Sequence, residues 1–166
     1  GGTRIEMACG AQALALLNAA YDQNRQVSQA FSAKITETGE AARRMNELLS
    51  AQKYRMAGLE KRVFAGIAES YGNRGNVLHF EEGLSADGVR ELADAIADKC
   101  GGTAAVFSGS DGGYAYCLIA RQGDLRQLGR DMTAALHGRG GGKPLCQQGR
   151  VQAAKGEIEA FFADRQ

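Results

Sequence analysis

The chain has 166 residues, 44% of them hydrophobic and 23% charged, with one proline and a formal net charge of +1. This is a globular, helix-friendly composition for one domain or two small ones. No apolar run approaches the ~20 residues that span a bilayer, and "GGTRIEMACG" lacks a signal-peptide layout, so a cytoplasmic protein is expected. The cysteines, Cys9, Cys100, Cys117 and Cys146, are widely and irregularly spaced, which argues against a zinc ribbon or a C-x-x-C redox site. They read as reduced thiols, mostly buried as small hydrophobes. His79 and His137 are too far apart to share a helix face, so no metal site is expected within this chain.

In chain order, "TRIEMAC" (3–9) alternates as a short strand. From Ala11, apolar residues at Leu14, Leu17, Tyr21, Val27 and Phe31 follow helical spacing. A long helix is predicted over about 36–70, with Thr36 or Thr38 as its cap and glutamates in its first turn. Met45, Leu49, Gln52, Met56, Leu59, Val63 and Gly66 step by four and three, a heptad seam over about three repeats. At 1.5 Å per residue such a helix is ~45 Å long, which suits a coiled-coil arm or one limb of a hairpin with residues 11–32.

"YGNRGN" (71–76) breaks the pattern. Beyond it come a strand at 77–82 and a helix at 85–100 with Ser85 as cap. An apolar strand at 103–109, an Asp-Gly turn at 110–113 and a strand at 114–121 follow. A helix at 124–138, a glycine-rich loop and a helix at 151–165 complete the chain. The fold class is α+β: a long helical hairpin or coiled-coil arm, then a small β-α-β-β-α-loop-α domain with helices on one face of its sheet. The domains read as 1–34, 35–72 (connector) and 73–166.

"HGRGGGKPLCQQG" (137–149) concentrates five glycines beside Arg139 and Lys143. A P-loop is excluded, because position 144 is proline and no Ser or Thr follows Lys143. A dinucleotide fingerprint fails too, because Lys143 stands where its third glycine belongs. What survives is main-chain N–H groups flanked by cationic side chains, a pattern suited to a phosphate backbone. Charge distribution agrees. Residues 121–155 hold seven basic and two acidic residues, whereas residues 1–120 hold 12 basic and 14 acidic ones. The alternatives are a flexible linker between helices and a solvated basic face.

The stretch "GRGGGKPLCQQG" resembles the signature of the C-terminal domain of alanyl-tRNA synthetases and of free-standing alanyl-tRNA editing proteins. The matching residues are Gly140, Gly141, Gly142, Lys143, Pro144 and Gln148. This is a DHH-associated domain, with relatives in phosphodiesterases and exonucleases. "AAVFSGSDGGYAYCLIAR" is similar to that family's central strand pair, and "GGTRIEMACGAQAL" to the end of its editing domain. Leu145 stands where the synthetases usually carry an acidic residue, which favours the editing type.

The resemblance implies a tRNA-binding C-terminal part of an alanyl-tRNA editing protein, acting on alanine-accepting tRNA. The implied parent is a zinc-dependent hydrolase that removes serine or glycine from mischarged tRNA, its zinc ligands lying upstream of residue 3. No catalytic residue and no cofactor is expected here. The expected RNA contacts are Arg139, Gly140, Gly141, Gly142, Lys143 and Gln148, with Arg126, Arg130 and Arg150 as further phosphate contacts. The alternatives are the dimerisation and tRNA-binding domain of a synthetase, or a structural self-association module. A homodimer would form through the 36–70 helix or the C-terminal domain. Phosphodiesterase chemistry is disfavoured, because Asp111 and Asp124 are isolated and histidines are too few.

Overall fold

The structure is a computed structural model that describes residue 3 and residues 7–163. It divides into two units, Gly1–Arg55 and Met56–Gln166, with the boundary inside one long helix. The expected strand at 3–9 lies largely outside the described residues, and residues 7–9 are not in a strand.

In the first unit, α1 (Gly10–Ala30) buries none of its residues. A 3-10 turn (Ile35–Glu37) leads into α2 (Thr38–Ser70), a 33-residue helix where the long helix was expected. The junction is polar. The Asn24 side chain donates to the Ile35 carbonyl at 2.8 Å and accepts from the Thr38 hydroxyl at 2.6 Å.

The second unit is an α+β fold built on a five-stranded sheet in the order β1-β2-β3-β5-β4. The strands are β1 (Gly75–Glu81), β2 (Gly101–Ser110), β3 (Gly113–Ala120), β4 (Arg139–Lys143) and β5 (Cys146–Val151). The helices are α3 (Ala86–Cys100), α4 (Arg126–Ala135) and α5 (Lys155–Ala163). β1 and β2 are parallel and joined through α3, and the other pairings are antiparallel. Ser85 caps α3, its hydroxyl accepting from the Gly88 N–H at 3.1 Å. Gly101 ends the helix at φ 76°, a conformation that glycine adopts without steric cost.

Helices cover both faces of the sheet rather than the single face expected. Phe64 and Ala68 of α2 and Val89, Leu92 and Ile96 of α3 pack with Val106, Cys117 and Ile119. On the other face, Met132 and Leu136, at the end of α4, and Ile158 of α5 pack with Phe107, Tyr116 and Leu118. The reason is in β2 and β3. Ala104–Phe107 and Tyr116–Ala120 are buried at every position, so successive side chains on opposite faces both need cover. Arg121 locks the end of β3 to α3 through Asp94 at 2.9 Å and Asp98 at 2.6 Å.

Three boundaries differ from the sequence reading. The helices expected at 124–138 and 151–165 are shorter, and Val151 belongs to a strand. Residues 139–143, expected as a loop, form the edge strand β4, turning back at Pro144-Leu145 into β5. Three glycines then have a packing reason. A side chain at Gly140 would meet the Tyr116 hydroxyl and the Gln148 carbonyl, one at Gly142 the Cys146 carbonyl, and one at Gly149 the Arg139 carbonyl. A side chain at Gly141 would meet nothing within 4 Å. Overpacking of this kind costs about 1–3 kcal/mol. Gly140→Ala and Gly142→Ala are therefore each expected to lose about that much in urea denaturation, while Gly141→Ala stays within about 0.5 kcal/mol of the parent.

Candidate nucleic-acid interface

In an antiparallel ladder, residues directly opposite each other share a face, and faces alternate along each strand. Cys117, Ile119 and Cys146 pack on the α3 side. The register places Arg139 opposite Arg150, Gly141 opposite Gln148 and Lys143 opposite Cys146. Arg139, Gly141, Lys143, Gln148 and Arg150 therefore share one face, the face that carries α3. α3 packs on β1, β2 and β3, and β4 lies beyond its reach. The overhang leaves a groove of about 800 Å³, walled by Asp87 and Val89 of α3 and floored by Arg139, Gln148 and Arg150. A second groove, about 350 Å³, follows the same flank of α3 past Arg90 and Asp94 to Leu145 and Cys146.

Arg139 and Arg150 define the chemistry. They sit opposite each other on neighbouring strands, both exposed. Among the described residues neither has an ion pair or a side-chain hydrogen bond, and neither does Lys143. Like charges directly opposite in a sheet repel, and a guanidinium can grip an anion through two parallel N–H bonds. An anion between the two arginines would turn repulsion into attraction. Among the described residues Asp87 is the one carboxylate lining this groove; it lies in the first turn of α3, where it complements the helix dipole.

The nine sequence-predicted contacts separate into three groups. Arg139, Gly141, Lys143, Gln148 and Arg150 come together on the open face. Gly140 and Gly142 fall on the opposite face, against the Tyr116 hydroxyl and main-chain atoms of Gln148 and Cys146, so they shape the hairpin. Arg126 and Arg130 ride on α4, across the sheet. Arg126 is clasped by Asp124, with contacts of 2.6 and 3.0 Å. The Arg126 guanidinium and amide hold the Asp124 carboxyl down to about 2, and Asp124 raises the Arg126 pKa in turn. Arg130 donates to Gln127 at 2.7 Å.

Sequence reasoning missed His137, Gln152 and Asp87, which also line the larger groove, and Arg90 in the smaller one. His137 and Gln152 extend the alternation of 139-141-143 and 148-150 by one step each. That signal was present, but it needs the glycine run to be read as a strand. The Tyr116 hydroxyl is buried with no hydrogen-bond partner among the described residues, in the space a side chain at position 140 would claim.

No helix among the described residues is long and apolar enough to cross a membrane. No protein-family model matches the chain, and no curated protein matches it. Among solved structures, the C-Ala domain from Aquifex aeolicus alanyl-tRNA synthetase is similar, with a TM-score of 0.43 and 18% identity. That likeness covers 50% of this chain and 85% of the C-Ala chain.

Proposed function

We propose that the face bearing Arg139, Gln148 and Arg150 binds an RNA phosphate backbone, and that the chain is a tRNA-binding module. One observation carries this reading: two arginines without a side-chain partner among the described residues stand opposite each other on the floor of an open groove. Lys143 extends the positive strip along the same edge strand. The finer assignment rests on the motif formed by Gly140 to Pro144 and Gln148. On it, the RNA is an alanine-accepting tRNA, and the module belongs to a protein that clears serine or glycine from that tRNA. Zinc-assisted water attack on the ester would be the parent's chemistry; this chain would supply grip and orientation. Leu145, 42% exposed at the hairpin tip, favours the editing type over a synthetase.

Each phosphate contact contributes roughly 0.7–0.9 to the slope of log affinity against log salt. The double variant Arg139→Ala/Arg150→Ala is expected to weaken binding of an alanine tRNA transcript and to flatten that slope by about 1.4–1.8. Arg126→Ala/Arg130→Ala, on the far face, should leave both unchanged. Filter binding across a salt series decides. Unchanged affinity and slope in the first double variant would overturn the assignment. A second transcript, with another acceptor identity, tests the alanine-tRNA assignment by itself.

A further inference from the structure

Two thiols meet on the α3 side of the sheet. Cys117 of β3 and Cys146 of β5 stand diagonally across neighbouring strands: Cys117 is opposite Gln148, and Cys146 is opposite Ile119. Their sulfurs are 3.9 Å apart, although 29 positions separate them in the chain. Both are free thiols. Their surroundings differ. Cys117 is 1% exposed, inside the core beneath α3. Cys146 is partly buried and lines the smaller groove together with Arg90, Asp94 and Leu145. Burial pushes the Cys117 thiol up from its ordinary range, and the neighbouring Cys146 adds to that. Cys117 therefore holds its proton, and Cys146 is the sulfur that a small solute reaches first. Neither remaining cysteine has this arrangement. Cys9 is exposed and lies in the other unit; Cys100 is buried, its sulfur accepting from the Gly102 N–H at 3.4 Å. Among the described residues no other pair of sulfurs comes as close.

We propose that Cys146 is a modification site for hydrogen peroxide, with Cys117 as its resolving thiol. Peroxide is small and uncharged, so it enters a groove walled by both signs of charge, Arg90 and Arg121 with Glu91 and Asp94. Attack by the Cys146 sulfur on one peroxide oxygen breaks the O–O bond. The departing hydroxide takes up the thiol's proton and leaves as water. Cys146 is then a sulfenic acid, its sulfur oxidised by two electrons and the peroxide reduced by two. Next the Cys117 sulfur attacks the Cys146 sulfur. The S–O bond breaks, and the hydroxide leaves with the Cys117 proton as a second water. In sum, two thiols and one peroxide give one disulfide and two waters. Because Cys117 gives up its proton reluctantly, the second step is the slower one, and sulfenic acid accumulates before the bridge. A disulfide holds its sulfurs about 2.05 Å apart. Diagonal positions reach that spacing only if β5 is drawn toward β3, and a bond made under such strain is readily reduced. Oxidation at this site is therefore reversible. Lys143 stands directly opposite Cys146, so the bridge also pulls on the hairpin that carries it.

The proposal is independent of the RNA reading, and its failure would leave that reading intact. The test uses the full chain with Cys9→Ser, which removes the exposed thiol of the first unit. Under a small excess of hydrogen peroxide, its intact mass should first rise by one oxygen, in a form that dimedone captures. It should then settle at the reduced mass less two hydrogens. Tryptic mapping should join residues 100–121 to residues 140–150, with fragmentation placing the bond at Cys117 rather than Cys100. Dithiothreitol should restore the reduced mass. In the same background, Cys117→Ala should stop the reaction at the dimedone-reactive stage, and Cys146→Ser should abolish both products. Circular dichroism checks that each variant folds; if Cys117→Ala does not, the peptide map of the Cys9→Ser chain decides by itself. A chain that keeps its reduced mass, a bridge that excludes Cys117, or a dimedone adduct that persists in Cys146→Ser would each overturn the proposal.

Discussion

The hairpin of β4 and β5 depends on one close approach, main chain against main chain. At Gly140, Gly142 and Gly149 the space a Cβ would need is already occupied, by carbonyl oxygens and by the Tyr116 hydroxyl. Without that closeness the two strands cannot hold Arg139 against Arg150 in register, and the floor of the groove has no fixed spacing. Glycine lowers the stability of a strand interior through backbone entropy. Here that loss is offset by a geometry no side chain permits. The Gln147 side chain supports the same hairpin from within: it is buried and donates to the Lys143 carbonyl at 2.6 Å.

The site's electrostatics follow from where the sheet outruns its cover. β2 and β3 are apolar on both faces and are sandwiched by helices. β5 is a transition: Gln147 and Val151 point into the α4 side, while Gln148 and Arg150 point out beyond α3. β4 is exposed along its whole length. Moving across the sheet from β2 to β4, apolar pairing therefore gives way to cationic pairing on a single face. On the far face, by contrast, Arg126 is already satisfied by Asp124. Both faces carry arginine, but among the described residues Arg126 is held in an ion pair while Arg139 and Arg150 are not.

Much of this was legible in the sequence. The α+β class, the 33-residue helix, the Ser85 cap and the turn at Asp111-Gly112 each have a local signature that survived folding. The glycine run misled in kind. Its composition reads as a loop because glycine has low strand propensity, and only the partner strand, which no local pattern reveals, makes a strand of it. That misreading also hid the face assignment. As a loop, residues 139–143 give no reason to separate Gly140 and Gly142 from Arg139 and Lys143. As a strand, their alternation does so at once. The arginines of α4 stand out in the sequence by charge alone, and sequence cannot show that Asp124, two residues from Arg126, clasps it. The second helical layer was implicit in the unbroken apolar runs of β2 and β3, which no one-sided sheet would carry.

An uncovered edge strand has one more consequence. At alternate residues β4 turns unpaired N–H and C=O groups to solvent, a template on which any extended chain can add itself. Three consecutive glycines put nothing in the way. What protects the edge is charge at its two ends. If two copies of β4 paired antiparallel about Gly141, Arg139 of each would stand opposite Lys143 of the other, and like charges so placed repel. The cations that suit this strand to a polyanion therefore also act as gatekeepers against sheet-to-sheet aggregation. A variant that neutralises both would lose colloidal stability.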